Sequence, residues 1–185
     1  MFFNIFINSP EQKILSLFAM NPGKSFYGRE ISKKLNLSLG SAHAALLSLE
    51  KSGLLFFQNI GKIKLYNLES DNPVIKSFQV LNILLVLEPL VESLRRIARR
   101  IVLYGSYSEG TFTADSDLDL LIVTEKKKDT VGEIDKFQRK SGLDIRPLLK
   151  SQLEWMELEK ASPEFYDELS HGIVLWERPI DESGL

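Results

Sequence analysis

The chain has 185 residues, 44% of them hydrophobic and 26% charged, with a formal net charge of −2, two histidines and no cysteine. That length holds one large domain or two small ones. The missing cysteines exclude a disulfide framework and a cysteine-ligated zinc site and fit a reducing interior, and His43 and His171 alone are too few for a histidine metal site. The charge is split: residues 1–70 hold eight Lys or Arg against four Asp or Glu, whereas the remainder holds fifteen against twenty-one. A basic first part and an acidic second part predict two modules with different partners.

The first residues, Met1 to Ile7, are apolar but lack a basic flank and a small-residue cleavage site, so no signal peptide is expected. Pro10 to Met20 reads as a helix with Ile14, Leu15, Leu17 and Phe18 apolar, ended by Asn21-Pro22-Gly23. A short helix follows over Gly28–Leu35, with Ile31 and Leu35 four apart. Asn36-Leu37-Ser38 is a tight turn in which Ser38 is a good N-cap. A third helix runs from Leu39 to Lys51, with Leu39, Ala42, Leu46 and Leu49 on one face, and Gly53 ends it. Leu54–Gln58 and Lys62–Leu68 then read as two strands of a hairpin around Asn59-Ile60-Gly61.

Three helices and a hairpin over residues 10–69 resemble a winged helix-turn-helix domain. The resemblance implies that the third helix enters the major groove and that Lys62 and Lys64 on the wing reach phosphates. Arg29, Lys33, Lys34, Ser41, His43, Lys51, Lys62 and Lys64 are the expected DNA-binding residues. The outward face of the third helix carries Gly40, Ser41, Ala44, Leu47, Ser48 and Lys51, without the Arg, Asn or Gln that read bases. A module for protein contacts or dimerisation is the alternative.

Pro73 opens an apolar helix through Val74, Ile75, Phe78, Leu81, Leu84 and Leu85, interrupted by Lys76, Gln79 and Asn82. It is expected to stop at Glu88-Pro89, too short and too polar to span a bilayer, with Pro89 starting a second helix that runs to Arg99. Apolar residues on several sides predict either a homodimer contact or packing between the modules. The run Arg95-Arg96-Ile-Ala-Arg99-Arg100 places cations at that helix's C-terminus, where the dipole favours them, or offers them to RNA or a triphosphate.

Ile101 to Tyr104 reads as a buried strand, halted by Gly105-Ser106, where a glycine lets the backbone approach a ligand closely. Asp117-Leu118-Asp119 leads into Leu120-Leu121-Ile122-Val123. Strand alternation sends both carboxylates to one face, where they repel unless a cation sits between them. Hard divalent metals want such oxygens. Thr130 to Ser141 is a polar helix closed by Gly142, and Leu143–Leu149 is a short strand with one acid, Asp144. That acid either joins the pair or is a strand-start residue paired with Arg146. Helices over Ser151–Glu159 and Pro163–His171, a closing strand Ile173–Trp176 and a frayed tail from Glu177 complete the chain.

Gly-Ser, ten residues, then Asp-Leu-Asp before an apolar strand resembles the signature of the DNA polymerase β-like nucleotidyltransferases, above all the minimal members, over residues 90–176. The resemblance implies that Gly105 and Ser106 bind the nucleotide. Asp117 and Asp119 would hold Mg2+, and Asp144 would share a metal ion and help deprotonate an attacking hydroxyl. It also implies an NTP substrate such as ATP and, as in many minimal members, an antitoxin that modifies a helical toxin. Many members carry a basic residue between Gly-Ser and the next glycine; here the segment is Tyr107-Ser108-Glu109-Gly110.

The expected fold is α+β. A winged helix-turn-helix over residues 1–70 and connecting helices over 71–99 precede a nucleotidyltransferase domain over 100–185, with a small mixed sheet and flanking helices. The expected activity is magnesium-dependent transfer of AMP from ATP to a hydroxyl of a protein or other acceptor, in a cytoplasmic homodimer that binds DNA and no membrane. The alternative is a DNA-binding regulator whose second domain only binds a nucleotide.

Overall fold

The computed structural model describes residues 3–179 and divides into two compact units. The first comprises Met1–Val86 with Gly110–Asp115; the second comprises Leu87–Glu109 and Ser116–Leu185.

In the first unit a short helix α1 (Phe3–Phe6) precedes α2 (Pro10–Ala19). Ser9 and Gln12 start α2 as a capping box: the Gln12 amide donates to Ser9 Oγ at 3.2 Å and the Ser9 amide to Gln12 Oε1 at 2.9 Å. Helix α3 (Gly28–Leu35) ends at Asn36, whose φ of 52° makes the left-handed turn, and α4 (Leu39–Lys51) starts on Ser38. Strands β2 (Leu55–Ile60) and β3 (Ile63–Leu68) form the hairpin, turning at Gly61 with φ +62°. A further strand, β1 (Phe26–Tyr27), joins β3 antiparallel and gives the order β1-β3-β2; two residues are too few to carry an alternation readable in sequence.

Ile14, Phe18, Phe26, Ile31, Ala45, Leu46, Leu55 and Ile75 belong to this unit's core, and Phe18 meets Phe26 edge-on with ring centroids 5.2 Å apart. Full burial of a side chain such as Phe18 contributes about 2–3 kcal/mol. The expected apolar stripe of α4 is corrected at one end. Ala42, Ala45, Leu46 and Leu49 are buried, but Leu39, in the first turn, projects past the core and is 59% exposed.

The expected break at Pro89 does not occur. Helix α5 runs unbroken over Pro73–Leu94, 22 residues, with Pro89 inside it, and no second helix reaches Arg99. Proline removes one amide donor at an exposed position, and burial of Leu87, Leu90 and Leu94 on the other side offsets that cost of about 3 kcal/mol. By length and apolar composition α5 is therefore long enough to cross a membrane, contrary to the sequence reading. Its polar residues are nevertheless accommodated inside the fold: Asn82, fully buried, accepts from Ser16 Oγ and donates to the Phe78 carbonyl, and buried Gln79 donates to the Ala19 carbonyl at 3.4 Å.

The second unit is built on a four-stranded mixed sheet in the order β6-β5-β4-β7. Strands β4 (Arg100–Tyr104) and β5 (Leu118–Val123) are antiparallel, with the four-residue α6 (Ser106–Glu109) between them. Helix α7 (Lys127–Ser141), capped by Gly142 with φ +73°, crosses over to β6 (Ile145–Lys150), parallel to β5. Pro147 cannot donate to a ladder, which suits β6's place at the sheet edge. Helices α8 (Gln152–Ala161) and α9 (Pro163–Ser170) precede β7 (Ile173–Glu177), antiparallel to β4 on the other edge. Val102, Leu121 and Val123 face Leu158 and Leu169 of these two helices. Glu177, expected in a frayed tail, closes β7; residues 180–185 lie outside the described residues.

Candidate active site

Strand periodicity decides which side chains meet. Leu121 and Val123 pack toward α8 and α9, so Asp119 and Asp117, two and four residues earlier, lie on that same side of β5 and its leading segment. Across the antiparallel pair Tyr104 stands opposite Asp119, and across the parallel pair Arg146 does. One step earlier, the Leu118 amide donates to the Asp144 carbonyl at 2.8 Å, which puts Asp144 beside Asp117 at the start of β6. The three acids expected from the sequence thus gather at one end of one sheet.

Gly105 turns the chain there with φ +66°, and a Cβ on it would lie 3.0 Å from Asp119 Oδ2. Both facts require glycine: the left-handed backbone disfavours a side chain, and the main chain passes close to a carboxylate. Ser106 opens α6, and Ser108 closes the turn, donating through Oγ to the Gly105 carbonyl at 2.7 Å.

The acids differ in setting. Burial raises the pKa of the Asp119 carboxyl; Arg146 opposes this, and Asp117 and Glu168 add to it. Asp117 is 46% exposed and faces Arg146 Nη1 at 3.8 Å; Asp144 is exposed and accepts from Gln138 Nε2 at 3.5 Å. Arg146 is therefore the partner of Asp117 and not of Asp144. Two tyrosines border the group. Tyr104 is raised by burial and by Asp119 and Glu168, and Tyr107 by burial and by Asp117 and Asp144.

Hard oxygen donors paired on one strand face are the chemistry a divalent cation takes. Among the described residues, however, no group of three or more His, Asp or Glu side chains is placed to hold a metal ion. The contacts made by these acids are instead to the Arg146 guanidinium at Asp117 and the Gln138 amide at Asp144. Glu168, Gln138 and the two tyrosines escaped the sequence reading, and Arg146 was expected beside Asp144 rather than Asp117. Glu168 comes from α9, 49 residues beyond Asp119, with no motif around it; the place of Arg146 opposite Asp119 follows only from the β5–β6 register.

In the first unit a cleft of about 680 Å³ is lined by Arg29, His43, Lys62 and Lys64, with Leu39 and Ile63 as apolar wall. Lys64 is engaged, 3.3 Å from Glu50 Oε2 and 3.5 Å from the Phe57 ring centroid, and Lys34 lies 3.8 Å from Glu30 Oε1. Ser41 donates its amide to Ser38 Oγ, while Lys33 and Lys51 are exposed, on α3 and at the end of α4, away from the cleft. Four of the eight expected DNA-binding residues thus share one cleft.

Residues 87–171 match the family model of the nucleotidyltransferase domain. No curated protein matches the chain. Among solved structures, a possible transcriptional regulator from Methanosarcina mazei Go1 is similar at 18% identity, over 50% of this chain and 82% of its own, with a TM-score of 0.33. The matched region begins at Leu87, the first residue of the second unit, and contains the Gly105 turn and all three acids. Over residues 87–171 the chain is thus similar to nucleotidyltransferase domains.

Proposed function

We propose that the protein is a magnesium-dependent nucleotidyltransferase that moves AMP from ATP to a hydroxyl of a protein acceptor, its first unit being a winged helix-turn-helix that binds DNA. The observation that carries the reading is the approach of the Gly105 turn to Asp119, which brings the backbone of the Gly105-Ser106 step close against the acid pair. Gly105 and Ser106 hold the nucleotide's phosphates, and Asp117 and Asp119 hold Mg2+ with Asp144 beside them. A metal ion held there would supply charge to offset the phosphates and to acidify the acceptor hydroxyl. Asp144 takes the hydroxyl proton; the acceptor oxygen then bonds to the α-phosphorus as the bond to the bridging oxygen breaks and pyrophosphate leaves. Arg146 must leave Asp117 for the metal to enter, and a freed guanidinium can turn to a phosphate.

The acceptor fits a toxin-like partner protein in a cytoplasmic pair, with the chain itself a homodimer. The experiment is incubation with α-labelled ATP, Mg2+ and candidate acceptor proteins. Label must reach protein with pyrophosphate release, and Asp117→Asn or Asp119→Asn must lower the rate roughly a thousandfold. Wild-type rates in the double variant would refute the site.

A second reading is favoured by the lack of a three-acid metal group among the described residues. In it the domain binds a nucleotide without turning it over, and the nucleotide shifts DNA affinity through the first unit.

A further inference from the structure

The same sheet has a second, oppositely charged end. In the β4–β5 pair Tyr104 stands opposite Asp119 while Arg100 stands opposite Val123, so Arg100 lies four residues, about 13 Å, from the acidic end. Arg100 also stands opposite Glu177 on β7, and the Arg178 amide donates to the Arg99 carbonyl at 2.8 Å, continuing that ladder by one residue. The main chain thereby fixes three arginines together. They line a cavity of about 440 Å³ with Trp155, Gln152 and the single acid Glu177.

Like charges held side by side on neighbouring strands destabilise a sheet unless something offsets them. Glu177 offsets one, with its Oε1 3.1 Å from Arg100 Nη1. Among the described residues Arg99 and Arg178 enter no ion pair, although Arg95 nearby does, 2.8 Å from Glu92 Oε2. The Nε–H of Arg100 is buried and finds no acceptor, a cost that a native fold seldom leaves standing. Arg100 is also held over the Trp155 ring, 5.6 Å from its centroid, and the Trp155 ring in turn lies 5.0 Å from Tyr166, so the guanidinium is positioned before any ligand arrives.

We propose that this end of the sheet is an oxyanion site, in which Arg99, Arg100 and Arg178 take the phosphate group of a small ligand. Three guanidiniums against one carboxylate leave a surplus of two positive charges, the complement of a phosphate dianion, and guanidinium forks match phosphate oxygens bidentately. The cavity exceeds one phosphate and leaves room for an organic remainder against Trp155 and Pro179. The site is separate from the acids and does not rest on the nucleotidyl transfer proposed above.

The test is calorimetric titration of the full chain with inorganic pyrophosphate and with AMP, in EDTA and at low salt, so that no metal recruits either probe to the acids. Saturable binding is expected, weakening as salt rises. Arg99→Gln with Arg178→Gln should lose at least about tenfold in affinity with an unchanged melting temperature, since both side chains are exposed and their backbone pairing stays. Asp117→Asn with Asp119→Asn should bind as wild type. Equal affinity for the two probes assigns the phosphate group alone, and tighter AMP adds the nucleoside; either keeps the site. No saturable binding of either probe in the millimolar range, undiminished binding by the double Gln variant, or loss in the double Asn variant would overturn it.

Discussion

Gly105→Ala separates the two demands placed on that residue. An alanine at φ +66° costs about 1–2 kcal/mol of backbone strain. Its Cβ would also stand 3.0 Å from Asp119 Oδ2, so the carboxylate must give way by a few tenths of an ångström or more. Gly142→Ala supplies the control. Its φ of +73° imposes the same strain, but a Cβ there meets nothing within 4 Å. For a domain of roughly 100 residues each kcal/mol lowers the melting temperature by about 4–8 °C, so both variants should melt lower by similar amounts. Only Gly105→Ala should lose nucleotide transfer, by roughly a hundredfold, the scale on which a misplacement near 1 Å acts. Thermal melts and ATP-labelling rates on the two purified variants decide the matter. Equal activity in both, at equal loss of stability, would refute a role for the approach of the turn to Asp119.

Arg146→Gln removes the cation facing Asp117; at about 4 Å in water a unit charge is worth about 1 kcal/mol, so Mn2+ followed by paramagnetic resonance should bind roughly fivefold tighter, and weaker binding would contradict Arg146 as the metal's competitor. Glu154 caps α8 from Ser151 and meets Lys127 Nζ at 2.6 Å; the Lys127 hydrogen bond and the Ser151 amide hold its carboxyl down at about 2, against an ordinary 4.5. A depressed carboxyl stabilises fully above its unfolded pKa and loses that contribution as pH falls through the folded one. Glu154→Gln should therefore melt lower than wild type at pH 7 and converge with it toward pH 2, and an unchanged difference across that window would reject the assignment.

Much of the candidate site's geometry was legible because it depends on local rules. A glycine between a buried strand and a short helix, and acids two apart before an apolar run, need only strand alternation to be read. Helices α2 to α4 of the first unit were likewise written in caps and spacing: Ser38 begins α4 and Asn36 ends α3 where expected. What escaped depends on tertiary contact. Pro89 obeys its own chemistry but is overruled by Leu87, Leu90 and Leu94, whose burial keeps α5 whole. Phe26–Tyr27 becomes a strand only because β3 lies beside it. Glu168 and Arg146 reach the acids through helix packing and strand register, which no spacing in the chain encodes.

The most direct test of the central claim is Asp144→Asn, measured for ATP binding and pyrophosphate release on one preparation, with the same measurements on wild type. In the proposed reading a nucleotide is held by the Gly105 turn and by Asp117 and Asp119, whereas chemistry needs a base near the attacking hydroxyl. The expected result is ATP affinity within a few-fold of wild type and no pyrophosphate release, a loss confined to the transition state. The contrary result is a wild-type protein that binds ATP, releases no pyrophosphate with its true acceptor, and changes its DNA affinity when ATP is added.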